Sequence, residues 1–116
     1  MIGIDIVHIP RIQKAVQNDA FKTRVFTAQE IAYCDGNAKP HIHYAGVFAA
    51  KEGAVKALKC GFSGGIGPLD IEIVHETDGA PQINFYCKAQ ELLNDRKADV
   101  SISHDGEYAI AVVEIL

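Results

Sequence analysis

Two acids and two lysines define the chemistry open to this chain. Asp5 sits within the isoleucine- and valine-rich run MIGIDIVHI, and Glu52 within FAAKEGAVKALKCG, next to Lys51 and four residues before Lys56. An acid inside an apolar strand is costly to bury unless it is paired or bound to a metal, whereas a strand wet on one face holds it without difficulty. Two carboxylates are a typical protein share of a Mg²⁺ site, whose remaining ligands are waters and substrate phosphates. Lysines and backbone amides would neutralise the other phosphate oxygens. The run GFSGGIGPL, with Gly61, Gly64, Gly65 and Gly67, offers such amides. It follows a helix and is neither a Walker loop nor a dinucleotide fingerprint, so on its own it reads as a connector. Residue types alone therefore point to Mg²⁺-dependent chemistry on a diphosphate.

The elements that must position these groups follow from periodicity. A strand is predicted over Ile2–Ile9. Phe48 to Gly61 reads as a helix stopped by Gly61 in the left-handed cap position. Its apolar stripe is Val47, Phe48, Ala54, Val55 and Leu58, and a small-residue face of Gly46, Ala49, Ala50, Gly53 and Ala57 admits a close backbone. Lys51 points into the apolar stripe, where it either snorkels to water or has a polar task. Glu52 and Lys56 also fit an ordinary i,i+4 pair.

Elsewhere, Pro10 opens a basic helix running to about Asn18, with Phe21 just beyond it. Thr27 and Glu30 match a capping box for a helix from Ala28 to Cys34. His41 and His43 fall in a loop and make a weak zinc signal, being two imidazoles without a third ligand at suitable spacing. DIEIVHE and PQINFYC form a hairpin around Thr77–Ala80, Lys88 to Asn94 a short helix, and ADVSISHDGEYAIAVVEIL a second hairpin around Asp105-Gly106. The strand Tyr108 to Ile115 is nearly all apolar and is predicted to be well covered.

Composition sets the frame. The 116 residues fit one domain, 1–116, and 48% hydrophobic against 22% charged content can bury a modest core. No apolar run reaches the roughly 20 residues of a membrane span, and the first residues do not resemble a signal peptide. Cys34, Cys60 and Cys87 lie far apart, which argues against a disulfide framework and for the cytoplasm. A net charge of −4 speaks against nucleic acid as a partner. Yet Arg11, Lys14, Lys22 and Arg24 face only Asp19 within their segment, which suits either an acidic protein partner or an ordinary solvated face.

GIDIVHIPRI, FTAQE, AGVFAAKEGAVKAL and SISHDGEYAIA, in that order and spanning nearly the whole chain, resemble the short 4′-phosphopantetheinyl transferases of the holo-(acyl-carrier-protein) synthase type. The resemblance implies an α+β fold, an antiparallel sheet packed against a long central helix with shorter helices around it. It implies that a serine of apo-acyl carrier protein attacks the β-phosphate of coenzyme A, with release of adenosine 3′,5′-bisphosphate. A metal-bound water or a carboxylate would take the serine proton. Asp5 and Glu52 match Mg²⁺ ligands, and Lys56 matches a lysine close to the phosphates. Lys51 matches the lysine of the family's Lys-Glu pair and is placed with the coenzyme A-binding residues. His104 matches the histidine near the nucleotide 3′-phosphate, with Ser103 beside it, and Gly65 and Ile66 lie in a loop along coenzyme A. Arg11, Lys14, Phe21 and Arg24 match a docking surface for the acidic carrier, and homotrimers with active sites between subunits are implied. Val47 and Ala80 replace residues that are often basic in relatives, and Gly53 stands where alanine is usual. The alternatives are a non-catalytic homolog that only binds carrier proteins and, from the residue types, a Mg²⁺-dependent nuclease that the net charge disfavours.

Overall fold

A computed structural model describes residues 1–62 and 64–116, so Ser63 of the glycine-rich run lies outside the described residues. The order is β1 (Ile2–His8), α1 (Ile9–Ala15), α2 (Asp19–Val25), α3 (Ala28–Asp35), α4 (Pro40–Ala57), a 3₁₀ turn (Pro68–Asp70), β2 (Ile71–His75), β3 (Pro81–Phe85), α5 (Cys87–Leu93), β4 (Ala98–Asp105) and β5 (Tyr108–Ile115). Among the described residues, β1, β5 and β4 form an antiparallel sheet in that spatial order, and β2 and β3 a separate antiparallel hairpin. Asp5 and Ile102 both pair with Ala111, from opposite sides of the central strand. The β4–β5 hairpin closes through Gly106-Glu107, with Gly106 at φ 57, a conformation that glycine adopts without strain.

The small-residue face of α4 is what lets helix and sheet approach. A Cβ on Gly3 would overlap the carbonyl oxygen of Gly53 and lie 2.5 Å from the backbone nitrogen of Ala57, and one on Gly46 would lie 2.8 Å from the Ile102 side chain. Val47, Ala49, Ala50, Ala54, Val55 and Ala57 are all buried along this helix.

The limits of α4 differ from those predicted. Pro40 occupies its first turn, where a missing N–H costs nothing, so His41 and His43 are helical and not loop residues. The helix ends at Ala57, four residues before the expected stop at Gly61. Lys59 takes the left-handed position at φ 61, its N–H donates to Lys56 O at 3.0 Å, and the Cys60 N–H donates to Val55 O at 3.2 Å. These two bonds complete a Schellman turn, with Gly61 already in the following loop.

The basic segment also divides. Its first helix stops at Ala15, and the Asn18 side chain accepts from the Phe21 N–H at 3.0 Å to start α2, which therefore contains Phe21. The Thr27–Glu30 capping box is present, with Glu30 N–H donating to Thr27 Oγ1 at 3.2 Å and Thr27 N–H to Glu30 Oε1 at 2.8 Å.

β5 is covered on one face only within the chain. Ala109, Ala111, Val113 and Ile115 are buried on one face, while Tyr108 is 51% and Ile110 37% exposed. The open face continues on β1 through Ile2, Ile4 and Ile6, at 64%, 56% and 61% exposure. An apolar face this continuous is unusual on a monomer surface.

Candidate active site

Strand alternation turns Gly3, Asp5 and Val7 toward α4 and Ile2, Ile4 and Ile6 away from it. Asp5 thereby meets the C-terminal half of the helix, where Lys56 Nζ reaches its Oδ1 at 3.0 Å and donates to Ile4 O, also at 3.0 Å. The lysine thus bridges to the strand instead of folding back on Glu52. Glu52 is half-buried on the same helix. Burial chiefly, and then the neighbouring Asp5 charge, push its carboxyl above the ordinary glutamate range, while Lys56 and Arg11 pull it down. The structure therefore brings together Asp5, Glu52 and Lys56, with Arg11 of α1 within electrostatic reach.

Two like charges forced side by side in partial burial form a natural seat for a cation. Among the described residues no three histidine, cysteine, aspartate or glutamate side chains are placed to hold a metal ion together. Two carboxylates without further protein donors suit Mg²⁺, which keeps several waters and shares substrate phosphates.

Lys51 has a different surrounding. Its side chain is 1% exposed, and its ammonium meets Glu30 Oε1 at 2.7 Å, Val25 O at 2.9 Å and Pro68 O at 2.8 Å. All three donors are used, so Lys51 is neither a snorkelling lysine nor oriented to touch coenzyme A as expected from its place beside Glu52. Glu30 also accepts from the Ile73 N–H at 2.8 Å. Burial raises the Glu30 carboxyl and lowers the Lys51 ammonium, and in each case the partner's charge opposes the shift. Nearby, Glu72 accepts from Thr27 Oγ1 at 2.7 Å and Tyr86 OH at 2.9 Å. This polar knot ties α3, α4, β2 and the loop before β2 together. The capping box was the only trace of it in the sequence, because it explains Glu30 without asking where its second oxygen goes.

His104 lies in another place. It lines a cavity of about 170 Å³ together with Tyr33, His43, Gly46, Val47, His75, Pro81 and Ile102. Asp5, Glu52 and Lys56 do not reach this wall. Ser103 borders the cavity but also belongs to the apolar sheet face with Ile4 and Ile110, since neighbouring strand residues point oppositely. His43 and His75 were not singled out from sequence as partners of His104, and only the fold unites a helix, a hairpin and a strand end.

In the glycine-rich loop, Gly65 is exposed at φ 91, a left-handed value that disfavours any other residue, whereas the Ile66 side chain is in the core. Ile66 can thus offer a ligand only its backbone. Arg11, Lys14 and Arg24 are exposed, and Phe21 is partly buried, edge-on to Phe26 at 6.4 Å.

The profile of the 4′-phosphopantetheinyl transferase superfamily matches residues 1–113. The chain is 44% identical over 112 residues to a holo-(acyl-carrier-protein) synthase of Protochlamydia amoebophila, covering 95% of this chain and 92% of that protein. It is 41% identical over 116 residues to the enzyme of the same name from Koribacter versatilis, covering 96% and 93%. The crystal structure of the Helicobacter pylori holo-(acyl-carrier-protein) synthase in complex with coenzyme A superposes over 100% of both chains, with a TM-score of 0.88 and 38% identity. The paired acids on β1 and α4, and the match along nearly the full length, lead to one assignment: this chain belongs to the 4′-phosphopantetheinyl transferase superfamily.

Proposed function

We propose that the chain is a holo-(acyl-carrier-protein) synthase, transferring 4′-phosphopantetheine from coenzyme A to a serine of apo-acyl carrier protein and releasing adenosine 3′,5′-bisphosphate. The observation that carries this reading is the convergence of Asp5, Glu52 and Lys56, in a chain of that family. The serine oxygen forms a bond to the β-phosphorus while the bond from that phosphorus to the bridging oxygen breaks. Negative charge then gathers on the departing bisphosphate.

Asp5 and Glu52 are the groups that would hold Mg²⁺, and the ion would supply charge neutralisation at the diphosphate. Lys56 fits a mobile role. Its side chain is 52% exposed and is held by Asp5 and one carbonyl, so it can turn to a phosphate oxygen once another cation faces Asp5. Arg11, Lys14 and Arg24, exposed on or beside the helices next to this site, offer charge for an acidic carrier protein, and Arg11 also links that surface electrically to Glu52.

A homotrimer with sites between subunits accounts for two features at once. The isoleucine-rich face of β1 and β5 is open in the single chain, and the His104 cavity shares no wall with the acid pair. A neighbouring copy seated on that face would cover the first and complete the second. Among the described residues no helix is long and apolar enough to cross a membrane, in keeping with work in the cytoplasm.

The test is direct. Incubation with coenzyme A, MgCl₂ and apo-acyl carrier protein should add one phosphopantetheine to the carrier by intact mass. An unchanged mass at every enzyme concentration would overturn the reading, and carrier binding that persists without transfer would favour a non-catalytic homolog.

A further inference from the structure

The cavity at His104 has an unusual way of acquiring charge. Its ionisable lining groups among the described residues are Tyr33 from α3, His43 from α4, His75 from β2 and His104 from β4, with no lysine, arginine, aspartate or glutamate among them. His75 stacks on Tyr33 with ring centroids 3.7 Å apart and planes 3° from parallel, and Tyr33 meets His43 edge-on at 5.5 Å. The three rings thus brace one another. His75 Nδ1 is buried and, among the described residues, has no hydrogen-bond partner. A buried polar atom in that condition calls for a partner, an ordered water or a bound group.

The other charges nearby stand outside the wall. Lys39 and His41 precede His43 at the start of α4, Glu76 and Asp78 lie in the β2–β3 turn, and Asp105 follows His104. Glu107 in the β4–β5 turn is engaged with His8 at 3.6 Å. Val47 is in the cavity wall and Ala80 lies in the turn between its Gly79 and Pro81, so neither of these two positions supplies a fixed cation.

We propose that His43 and His75 stand beside His104 in a pocket for the 3′-phosphate monoester of coenzyme A, so that this chain holds its donor more tightly as His43 and His75 protonate. The inference rests on coenzyme A being the donor. It takes His104 as the neighbour of the 3′-phosphate that the resemblance implies, and adds His43 and His75 beside it and a dependence on pH. In the empty cavity, burial first and then neighbouring imidazoles hold His43 and His75 below the ordinary histidine range, so they are neutral near pH 7. A dianion reverses the preference by stabilising each imidazolium. Binding therefore takes up protons, and affinity falls as pH rises through the histidine range.

The experiment is calorimetric titration of the intact protein with adenosine 3′,5′-bisphosphate and, as a control lacking the 3′-phosphate, adenosine 5′-monophosphate. Each is measured at pH 6 and pH 8 for the parent, His43→Gln, and His43→Gln with His75→Gln. The second ionisation of phosphate near pH 6 acts in the opposite direction but equally in all proteins, so the comparison between proteins isolates the histidines. The preference for the 3′-phosphorylated nucleotide should change with pH by about tenfold more in the parent than in the double variant, about one proton's worth of linkage over one pH unit. His43→Gln, at a half-exposed helical position that does not threaten folding, should lose part of that difference. An identical pH dependence in the parent and His43→Gln overturns the proposal, as does a matching effect with the 5′-monophosphate. Transfer activity separates the two levels: intact transfer with unaltered pH dependence sinks this inference alone, whereas no binding or transfer of coenzyme A sinks the transferase reading with it.

Discussion

Gly3 and Gly53 meet backbone to backbone, yet only one of them has to be glycine. A Cβ on Gly3 would run into the Gly53 carbonyl, while a Cβ on Gly53 would find its nearest neighbour, Gly3 O, at 3.4 Å and Val113 Cγ2 at 3.5 Å, which is ordinary contact. Gly3→Ala must push α4 off the sheet and should cost about 3 kcal/mol or more. Gly53→Ala fills available space and removes backbone freedom from the unfolded chain, so it should stabilise by about 0.5–1 kcal/mol. Urea unfolding of the two variants measures both, and equal effects would refute the asymmetry.

Lys51→Met should destabilise strongly, because it leaves the Glu30 carboxylate buried without its counter-charge. Removing one member of a buried ion pair costs about 3–5 kcal/mol. The deficit has a pH sign. Without Lys51 the folded-state Glu30 carboxyl rises further above the value of 4.5 from which it is already raised. A neutral Glu30 needs no partner, so stability is retained at acid pH and lost as pH increases through the raised folded value. Chemical denaturation of parent and variant at pH 5 and pH 7.5 should show the smaller difference at pH 5.

Glu52→Gln and Asp5→Asn should each lower kcat/KM for phosphopantetheine transfer by roughly 10²–10³ or more, as expected for losing a main electrostatic group at developing charge. Their effects on the remaining acid differ from simple loss. Asp5 is the second cause raising the Glu52 carboxyl, so Asp5→Asn should bring the Glu52 titration down toward the ordinary glutamate value. Carbon-13 NMR of the side-chain carboxyl follows this without any activity. A Glu52 titration that does not move would mean the two acids are not coupled.

Ile4→Asp or Ile6→Asp places a charge on the open isoleucine face and should leave the fold intact while breaking the assembly. Light scattering with size exclusion should show a species of one chain in place of three, and transfer activity should fall with it. A parent that runs as one chain at every concentration would remove the trimer from the proposal.

Much of this arrangement was legible in the sequence. Punctuation by Pro10, Thr27, Gly79 and Asp105-Gly106 located element starts and turns, because caps and turns are local in their causes. The glycine and alanine face of α4 announced a close approach, and Gly3 supplied it. What escaped depended on distance along the chain. The end of α4 moved because Lys59 accepts a left-handed conformation when two helix carbonyls are satisfied by doing so. Lys51 looked like a candidate for phosphate because its partners, the carbonyls of Val25 and Pro68 and the far oxygen of a capping glutamate, are invisible to periodicity. The coverage of β5 was overestimated for a related reason. An all-apolar strand shows that both faces prefer to be dry, but not whether the same chain does the covering.

The alternation along β1 has one more consequence. Asp5 looks inward at α4 while Ile4 and Ile6, its immediate neighbours, look outward. Deleting or inserting a single residue in this strand would exchange the two sets, burying isoleucine against Glu52 and setting a carboxylate on the outer surface. The inward acid and the open apolar face are thus written in the same seven residues, as odd and even positions of one strand. Single substitutions can alter one set and spare the other, but a change of length cannot, and the strand is fixed in length more firmly than in composition.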